Sequence, residues 1–260
     1  MAVSEQAKKD YDNSALVYDH YSLLPSGRLE SQLVKTALGD CTDLSILDLG
    51  GGTGLHARTA VELGAKSVDV IDISPAMLKS GQDIETSLGR THFIRFFEAD
   101  VARSLSHLPL REGGYDVVMA NWIFSFADTM ELLERMFSNI VVNLKPGGRF
   151  VGVRDANPWS PAFEKHKYGA SCTSVTKIPG GVKYYCILHC NPPIEFEGSS
   201  LEEIFSGSTK IYERFGLTNV QIVPYEGAEV VQKDPEFWKL FLTRPSLAVV
   251  TAFKNSEHFV

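Results

Sequence analysis

The stretch Ile46-Leu47-Asp48-Leu49-Gly50-Gly51-Gly52-Thr53-Gly54 decides how the rest of this 260-residue chain is read. Ile46 to Leu49 closes a short apolar run of strand type, from Leu44 to Leu49, and the glycines that follow cannot continue it. Leu55, Ala60, Val61 and Leu63 then recur at helical spacing up to Gly64, a typical residue just past a helix C-terminus. The order is strand, glycine turn, helix. Such a turn lets backbone approach a ligand without Cβ interference and offers it the free N–H groups of a helix start. The spacing is G-x-G-x-G at Gly50, Gly52 and Gly54, whereas a dinucleotide fingerprint would place a glycine where Leu55 stands. No GxxxxGK[ST] loop occurs and the turn lacks a lysine, so a pyrophosphate has no evident cradle.

The same order repeats on the C-terminal side of this turn. Ser67 to Ile73 reads as a strand, and Ser74-Pro75 as the cap and first-turn proline of a helix running to about Leu88. His92 to Ala99 and Tyr115 to Ala120 read as further strands. Asp128, with Glu131 three residues on, resembles a capping box ahead of the stripe Leu132, Leu133, Met136, Phe137, Ile140, Val141. Lys145-Pro146-Gly147-Gly148 turns into a fifth strand, Arg149 to Val153. Strands alternating with helices predict an open, mostly parallel sheet, which binds its ligand at the strands' carboxyl ends. The polar residues there are Asp72, eighteen positions after Gly54 and placed to bond both hydroxyls of a ribose, then Glu98-Ala99-Asp100, and then Asn121-Trp122. Asp100 can accept an exocyclic amino proton of adenine while the next backbone N–H, of Val101, meets the ring.

The flanks have a different texture. Tyr11, Ala15 and Tyr18 fall on one helical face that ends before the turn Pro25-Ser26-Gly27, which suggests a docking or lid helix. Beyond Asp155 the chain is rich in proline and glycine around one alternating stretch, Val182 to Cys190, as in a substrate-side insertion. Ser200-Leu201-Glu202-Glu203 resembles a capping box opening a helix with Ile204, Phe205, Tyr212 and Phe215 that stops at Gly216. Strands follow near Leu217 to Val223 and Ser246 to Phe253, with a short helix from Asp234-Pro235 between them. The expected division is a helical lid over residues 1–40 and a cofactor-binding domain over 41–260, with the insertion at about 156–198.

Lys plus Arg is 25 and Asp plus Glu is 32, a net charge of −7, which disfavours a nucleic-acid partner. No apolar stretch approaches the length of a membrane span, and residues 1–10 lack the apolar core of a secretory signal, so a cytoplasmic protein without a membrane partner is expected. Four cysteines are too few for a disulfide framework.

These residues resemble the class I S-adenosylmethionine-dependent methyltransferases. "LDLGGGTG" from Leu47, "VIDISPAML" from Val70, "FEAD" from Phe97, "YDVVMANWIF" from Tyr115 and "LKPGGRFV" from Leu144 stand where that family carries its ordered motifs. The resemblance implies a Rossmann-like α/β fold with a seven-stranded, mostly parallel sheet and helices on both faces, and S-adenosyl-L-methionine as cofactor. It implies that Asp48, Gly50, Gly52 and Gly54 meet the methionine half, Asp72 the ribose, Asp100 the adenine amine and Asn121 and Trp122 the methionine side, and that Ile73, Met77 and Val101 also contact the cofactor. "YDNSALVYDHY" also resembles the first helix of ubiquinone-type and toxoflavin-type small-molecule methyltransferases, which makes Tyr18 the candidate to close over the cofactor. The whole chain is similar to fungal secondary-metabolism enzymes, including thiol S-methyltransferases that cap epidithiodioxopiperazine toxins such as gliotoxin.

A small-molecule substrate is therefore expected, with a thiol acceptor favoured and an O- or N-acceptor close behind, on a monomer or weak dimer. A thiolate forms with modest help, whereas an aliphatic hydroxyl requires a positioned base. Asp155 and His166, just after the fifth strand, are the candidates for that base. The alternatives are a non-catalytic cofactor-binding regulator and, opposed by Leu55, a nicotinamide-dependent oxidoreductase. Asn191-Pro192-Pro193-Ile194 imitates an amide-binding Asn-Pro-Pro-aromatic motif, but lies far from the fourth strand and lacks the aromatic residue. Cys186 and Cys190 on one strand face, with His189 on the other, do not form a metal set.

Overall fold

A computed structural model describes residues 3–256. Its main sheet has seven strands in the order β3-β2-β1-β4-β5-β10-β9. These are β1 Ser45–Leu49, β2 Ser67–Asp72, β3 Ile94–Glu98, β4 Tyr115–Ala120, β5 Leu144–Asp155, β9 Leu217–Ile222 and β10 Leu247–Lys254. The first five pair in parallel, and β10 runs antiparallel to both its neighbours. Every residue of β1 is buried, as a parallel strand covered on both faces requires. Ile46 packs on one side with α2 (Pro25–Leu38), α3 (Leu55–Glu62) and α9 (Pro235–Thr243). Its neighbour Leu47 packs on the other with α5 (Met130–Asn143) and α7 (Lys210–Arg214), so helices cover both faces. The reversal of strand order between β1 and β4 opens the ligand crevice.

Further helices and a second sheet complete the described chain. They are α1 (Val3–Ser14), α4 (Pro75–Ser87), α6 (Glu202–Phe205), α8 (Glu229–Lys233) and an antiparallel second sheet, β6 (Ala170–Ile178), β7 (Gly181–Leu188) and β8 (Ile194–Leu201). None of the described helices is long and apolar enough to cross a membrane.

Several local expectations are corrected. The N-terminal helix does not carry Tyr11 through Tyr18. It ends at Ser14, whose hydroxyl bonds back to the Asp10 carbonyl at 2.9 Å, and Tyr18–Leu23 forms a separate 3-10 turn. Pro25 does not mark a loop but starts α2, because extended Leu24 places the proline in the first turn, where its missing N–H is not needed. Leu29, Leu33, Val34 and Leu38 bury α2 in the core, so α2 covers the sheet and is not part of a lid, although its Glu30 reaches the crevice.

Thr129, not Asp128, caps α5, accepting from Leu132 N at 3.3 Å. Leu144 already pairs with Tyr115, so β5 begins before the Pro146-Gly147-Gly148 irregularity. The insertion contains three strands rather than one, because β6, though rich in Ser and Thr, pairs along its length with β7. Ser200 is fully buried in β8 and caps nothing, and the expected helix divides into α6 and α7 around Gly207, whose φ of 79° breaks helical geometry. β7 ends at Leu188, so Cys190 shares no strand face with Cys186.

Candidate active site

A cavity of about 300 Å³ opens at the carboxyl ends of β1, β2, β3 and β4, and the glycine turn forms its floor. Gly52 has φ of 56°, which turns its N–H toward Asp72 Oδ2 at 2.9 Å. Asp72 Oδ1 accepts from Ser74 N at 2.9 Å, so the chain engages each oxygen once and leaves further lone pairs for a ligand. Burial pushes the Asp72 carboxyl up to about 6, against the lowering effect of these backbone bonds. Ser74 caps α4 through Met77 N, which brings Ile73 and Met77 to the wall. Asp100 accepts from Ala102 N at 2.8 Å and pairs with Arg103 at 3.4 Å, beside Val101.

Three buried side chains at the glycine end have polar atoms without a hydrogen-bond partner among the described residues. Both oxygens of Asp48 lack a hydrogen bond, and burial raises its pKa to about 7. Asn121 Oδ1 accepts from Val153 N at 3.2 Å while its Nδ2 has no partner. His56 Nε2 lies 3.1 Å from Glu30 Oε1 while Nδ1 has none. A buried polar group without a partner costs about 1–3 kcal/mol, so three around one cavity mark where a ligand's polar groups belong. Acceptors at Asp48 suit an ammonium, the Asn121 amide suits a carboxylate, and Asp72 suits neighbouring hydroxyls. That donor and acceptor set fits S-adenosylmethionine.

The structure brings Tyr18, Asp48, Gly50, Gly52, Asp72, Ile73, Met77, Asp100, Val101, Asn121 and Trp122 to this cavity. Gly54 does not line it. It stands at the start of α3 with φ of 80°, where a Cβ would lie 3.3 Å from the Phe96 ring, so helix geometry and packing call for glycine there.

The segment before Pro25 is pinned over the cavity by residues the sequence reading missed. Asp12 accepts from Ser74 Oγ at 2.6 Å, Asp19 from Thr53 Oγ1 at 2.5 Å and Arg58 Nη2 at 2.7 Å, and Lys8 donates to the Ile73 carbonyl and Glu98. The repeated pair Tyr11-Asp12 and Tyr18-Asp19 is the signal that could have exposed the two aspartates. Glu30, buried on α2, accepts from Tyr21 OH at 2.6 Å and Trp122 Nε1 at 2.8 Å in addition to His56. It anchors the indole of Trp122, whose backbone sits at φ of 63°, a left-handed conformation rare for so bulky a residue. No pattern around Glu30 announces this role.

A second, smaller cavity of about 60 Å³ adjoins the first and shares Tyr11, Tyr18, Tyr21, Trp122 and Phe126 with it. Its far wall contains Asp155, Tyr184, Cys172, Cys186 and Phe196. Tyr184 OH and Ser125 Oγ both donate to Asp155 Oδ2, at 2.9 and 3.0 Å, and burial raises the Asp155 carboxyl to about 6. Burial together with the Asp155 charge raises Cys172 to about 12, and burial raises Cys186 as well. The two base candidates therefore separate. Asp155 faces a cavity, whereas His166, at φ of 55°, is exposed with its ring 3.9 Å from that of His189 and lines neither cavity. His189 bonds Ser171 Oγ at 2.9 Å, and Asn191 is exposed in the loop between β7 and β8.

Residues 46–148 match a family profile described as a methyltransferase domain. The chain is 30% identical over 185 residues to a ubiquinone/menaquinone biosynthesis C-methyltransferase of Pseudomonas paraeruginosa, a match covering 68% of this chain and 69% of that protein. It is 28% identical over 127 residues to a squalestatin tetraketide synthase of Cochliobolus lunatus, covering 46% of this chain but only 5% of the synthase. Among solved structures, an S-adenosylmethionine-dependent methyltransferase of Mesorhizobium loti superposes with a TM-score of 0.60 at 20% identity, covering 88% of this chain and all of that one. The 1,6-didemethyltoxoflavin-N1-methyltransferase of Burkholderia thailandensis gives 0.55 at 15% identity, over 96% and 88% of the two chains.

Proposed function

The chain belongs to the class I S-adenosylmethionine-dependent methyltransferases, and we propose that it methylates a small, largely apolar metabolite whose reacting group enters the second cavity, on a thiol or an acidic hydroxyl. Bound S-adenosylmethionine supplies a methyl group whose leaving group is already in place, so the transfer is an in-line displacement that depends on alignment and exclusion of water. Asp48 and Asn121 hold the amino-acid end, Asp72 the ribose, and Asp100 with Val101 the adenine. Tyr18 and Trp122, which line both cavities, shape the opening through which donor and acceptor meet.

The observation that carries this reading is Asp155. It is a buried carboxyl across the shared aromatic wall from the cofactor cavity, and both of its hydrogen bonds fall on Oδ2. With a pKa of about 6 it is ionised at neutral pH and a stronger base than an ordinary carboxylate. A thiol remains the favoured acceptor, because it ionises near pH 8.5 and asks least of such a base. An O- or N-acceptor on another secondary metabolite is the second reading, favoured by the same carboxylate being placed to take a phenolic proton. The toxoflavin enzyme's structural likeness and the tetraketide synthase's sequence likeness both fit a metabolite substrate.

Calorimetry with S-adenosylmethionine, followed by mass spectrometry for a gain of one CH₂ across dithiol, phenol and amine metabolites, tests this reading. Binding with a methylated dithiol or phenol supports it; binding with no product from any class favours the non-catalytic reading. Once an acceptor is found, Asp155→Asn lowers kcat by about 10²–10⁴-fold and removes the acid limb near pH 6, as expected for a general base. An unchanged pH profile sinks that role.

A further inference from the structure

Two cysteines in the wall of the second cavity have no part in methyl transfer. Cys172 of β6 stands directly opposite Cys186 of β7, and both are free thiols. His189 N donates to the Gly169 carbonyl at 2.8 Å, one step beyond the pair Ala170 and Leu188, and hydrogen-bonded and non-hydrogen-bonded pairs alternate along an antiparallel ladder. Cys172 and Cys186 are therefore a non-hydrogen-bonded pair, the kind in which Cα atoms approach to about 4.5 Å and side chains come closest. A disulfide spans Cα separations of about 4.4–6.8 Å, so the two sulfurs can join with the strands where they are.

Side chains alternate across a strand, so Ala170, Cys172, Tyr184, Cys186 and Leu188 face one side, and all five line the second cavity. Its volume of about 60 Å³ has room for a few waters and for an oxidant of their size. Cys172 is half-buried and Cys186 buried, so an entering reagent reaches Cys172 first. The other titratable groups facing the pair are Asp155 from β5, Tyr184 from β7 and Tyr11 from α1, with Tyr18 and Tyr21 farther along the same cavity. Burial, together with the Asp155 charge, pushes Cys172 up to about 12, and burial raises Cys186, so both rest as neutral thiols that react slowly near pH 7.

We propose that Cys172 and Cys186 are a peroxide-oxidisable pair that closes into a cross-strand disulfide in the wall of the second cavity. The Cys172 thiolate attacks one peroxide oxygen, the O–O bond breaks and the departing hydroxide becomes water, leaving a sulfenic acid. The Cys186 sulfur then attacks Cys172 Sγ, the S–O bond breaks, a second water leaves and the S–S bond forms. The two thiols lose two electrons and two protons, and the peroxide becomes two waters. The new bond ties β6 to β7 and redraws the far wall of the second cavity, while the cofactor cavity, which neither cysteine lines, keeps its shape. None of this rests on the methyl-transfer reading.

Hydrogen peroxide in excess over the protein, followed by alkylation and peptide mass spectrometry, tests the pair. At about pH 9 the wild-type chain should lose about 2 Da, with the peptides of Cys172 and Cys186 joined, and dithiothreitol should reverse the change. Closure should run about 100-fold faster at pH 9 than at pH 7, because the thiolate fraction grows about tenfold per unit below the thiol pKa. Asp155→Asn, which removes the charge opposing the Cys172 thiolate, should speed closure severalfold near pH 7. Cys186→Ala leaves the Cys172 sulfenic acid without a resolving thiol, so dimedone should label Cys172 in that variant and not in the closed wild-type chain. Circular dichroism confirms that each variant is folded, and the affinity for S-adenosylhomocysteine should change less than about twofold on closure. The absence of a disulfide at pH 9, oxidation confined to Cys41 or Cys190, Cys172 passing to sulfinic acid with Cys186 still free, or closure that abolishes nucleoside binding overturns the inference. Failure of the reduced protein to bind S-adenosylhomocysteine overturns the cofactor reading alone, since closure is read by mass.

Discussion

Asp48 is the residue on which burial and ligand chemistry meet most directly. Its carboxyl, buried without a partner, has a pKa raised to about 7 from an ordinary value near 4. Its protonated form is therefore the one that suits the ligand-free fold. The associated stabilisation is complete below about pH 4 and is lost as pH rises through 7, because folding then requires an ionised carboxylate to stay buried. Asp72 and Asp155, each raised to about 6, act in the same direction. Asp48→Asn should raise the stability of the ligand-free protein at pH 8 by on the order of 2 kcal/mol and leave it nearly unchanged at pH 4. The same substitution should weaken S-adenosylmethionine at least about tenfold, since the ammonium loses its counter-charge. Thermal melts at both pH values with calorimetric titration check this, and a lower melting temperature of the variant at pH 8 would contradict it. That Asp48, Asp72, Asp100 and Asn121 would meet at one cavity could be read from sequence because each lies at or just past the carboxyl end of a strand, and those ends converge in an open sheet. Glu30 and His56 could not, because their meeting depends on how α2 and α3 are placed, which no local pattern encodes.

At the level of elements, α4 shows why propensity and packing must be weighed together. Ser74 and Pro75 open it as the sequence predicts, with Ser74 Oγ accepting from Met77 N at 3.1 Å. Inside it lies Gly81, a residue that an isolated helix would exchange for alanine with a gain of about 1 kcal/mol. Here a Cβ would sit 2.6 Å from both the Phe96 ring and the Thr53 carbonyl, so the missing side chain lets α4 pack against the glycine turn itself. Backbone cannot yield as a flexible side chain does, and such overpacking costs about 1–3 kcal/mol. Gly81→Ala should therefore destabilise the protein by about 1–2 kcal/mol and weaken nucleoside binding by displacing Thr53 and Gly52. Denaturant unfolding measures the first effect, and a stabilised variant would show that the turn has room to move. Elsewhere the strength of the local signal decided what could be read. The α5 stripe Leu133, Met136, Phe137 and Ile140 is buried as its spacing predicts. The segment after Ser200 misled, because its capping-box letters lie at the end of a buried strand whose pairing with β7 overrides them.

Across the whole molecule, three bodies distant in sequence meet at one aromatic contact. Tyr11 of α1 lies 5.7 Å from Phe126, in the turn after β4, and 6.1 Å from Phe196 of β8, and the latter two are 6.3 Å apart. The main sheet could be read because its strand-helix units are local, whereas this junction brings together residues 11, 126 and 196, whose meeting follows only from the finished topology. The junction also lies on the wall shared by the two cavities, since Tyr11 and Phe126 line both and Phe196 lines the second. Aromatic pairs of this geometry each contribute about 0.5–1.5 kcal/mol beyond area burial, so removing the ring that faces both partners should loosen α1 without unfolding the sheet. Phe196→Ala should raise amide exchange severalfold across Val3–Ser14, roughly fivefold per kcal/mol of lost local stability, while exchange in β1 and β4 stays unchanged. Hydrogen exchange read by mass spectrometry distinguishes the cases. Loosening confined to the second sheet would mean that the polar anchors Lys8 and Asp12 suffice to hold α1, and equal loosening everywhere would mean that the three bodies open as one cooperative unit.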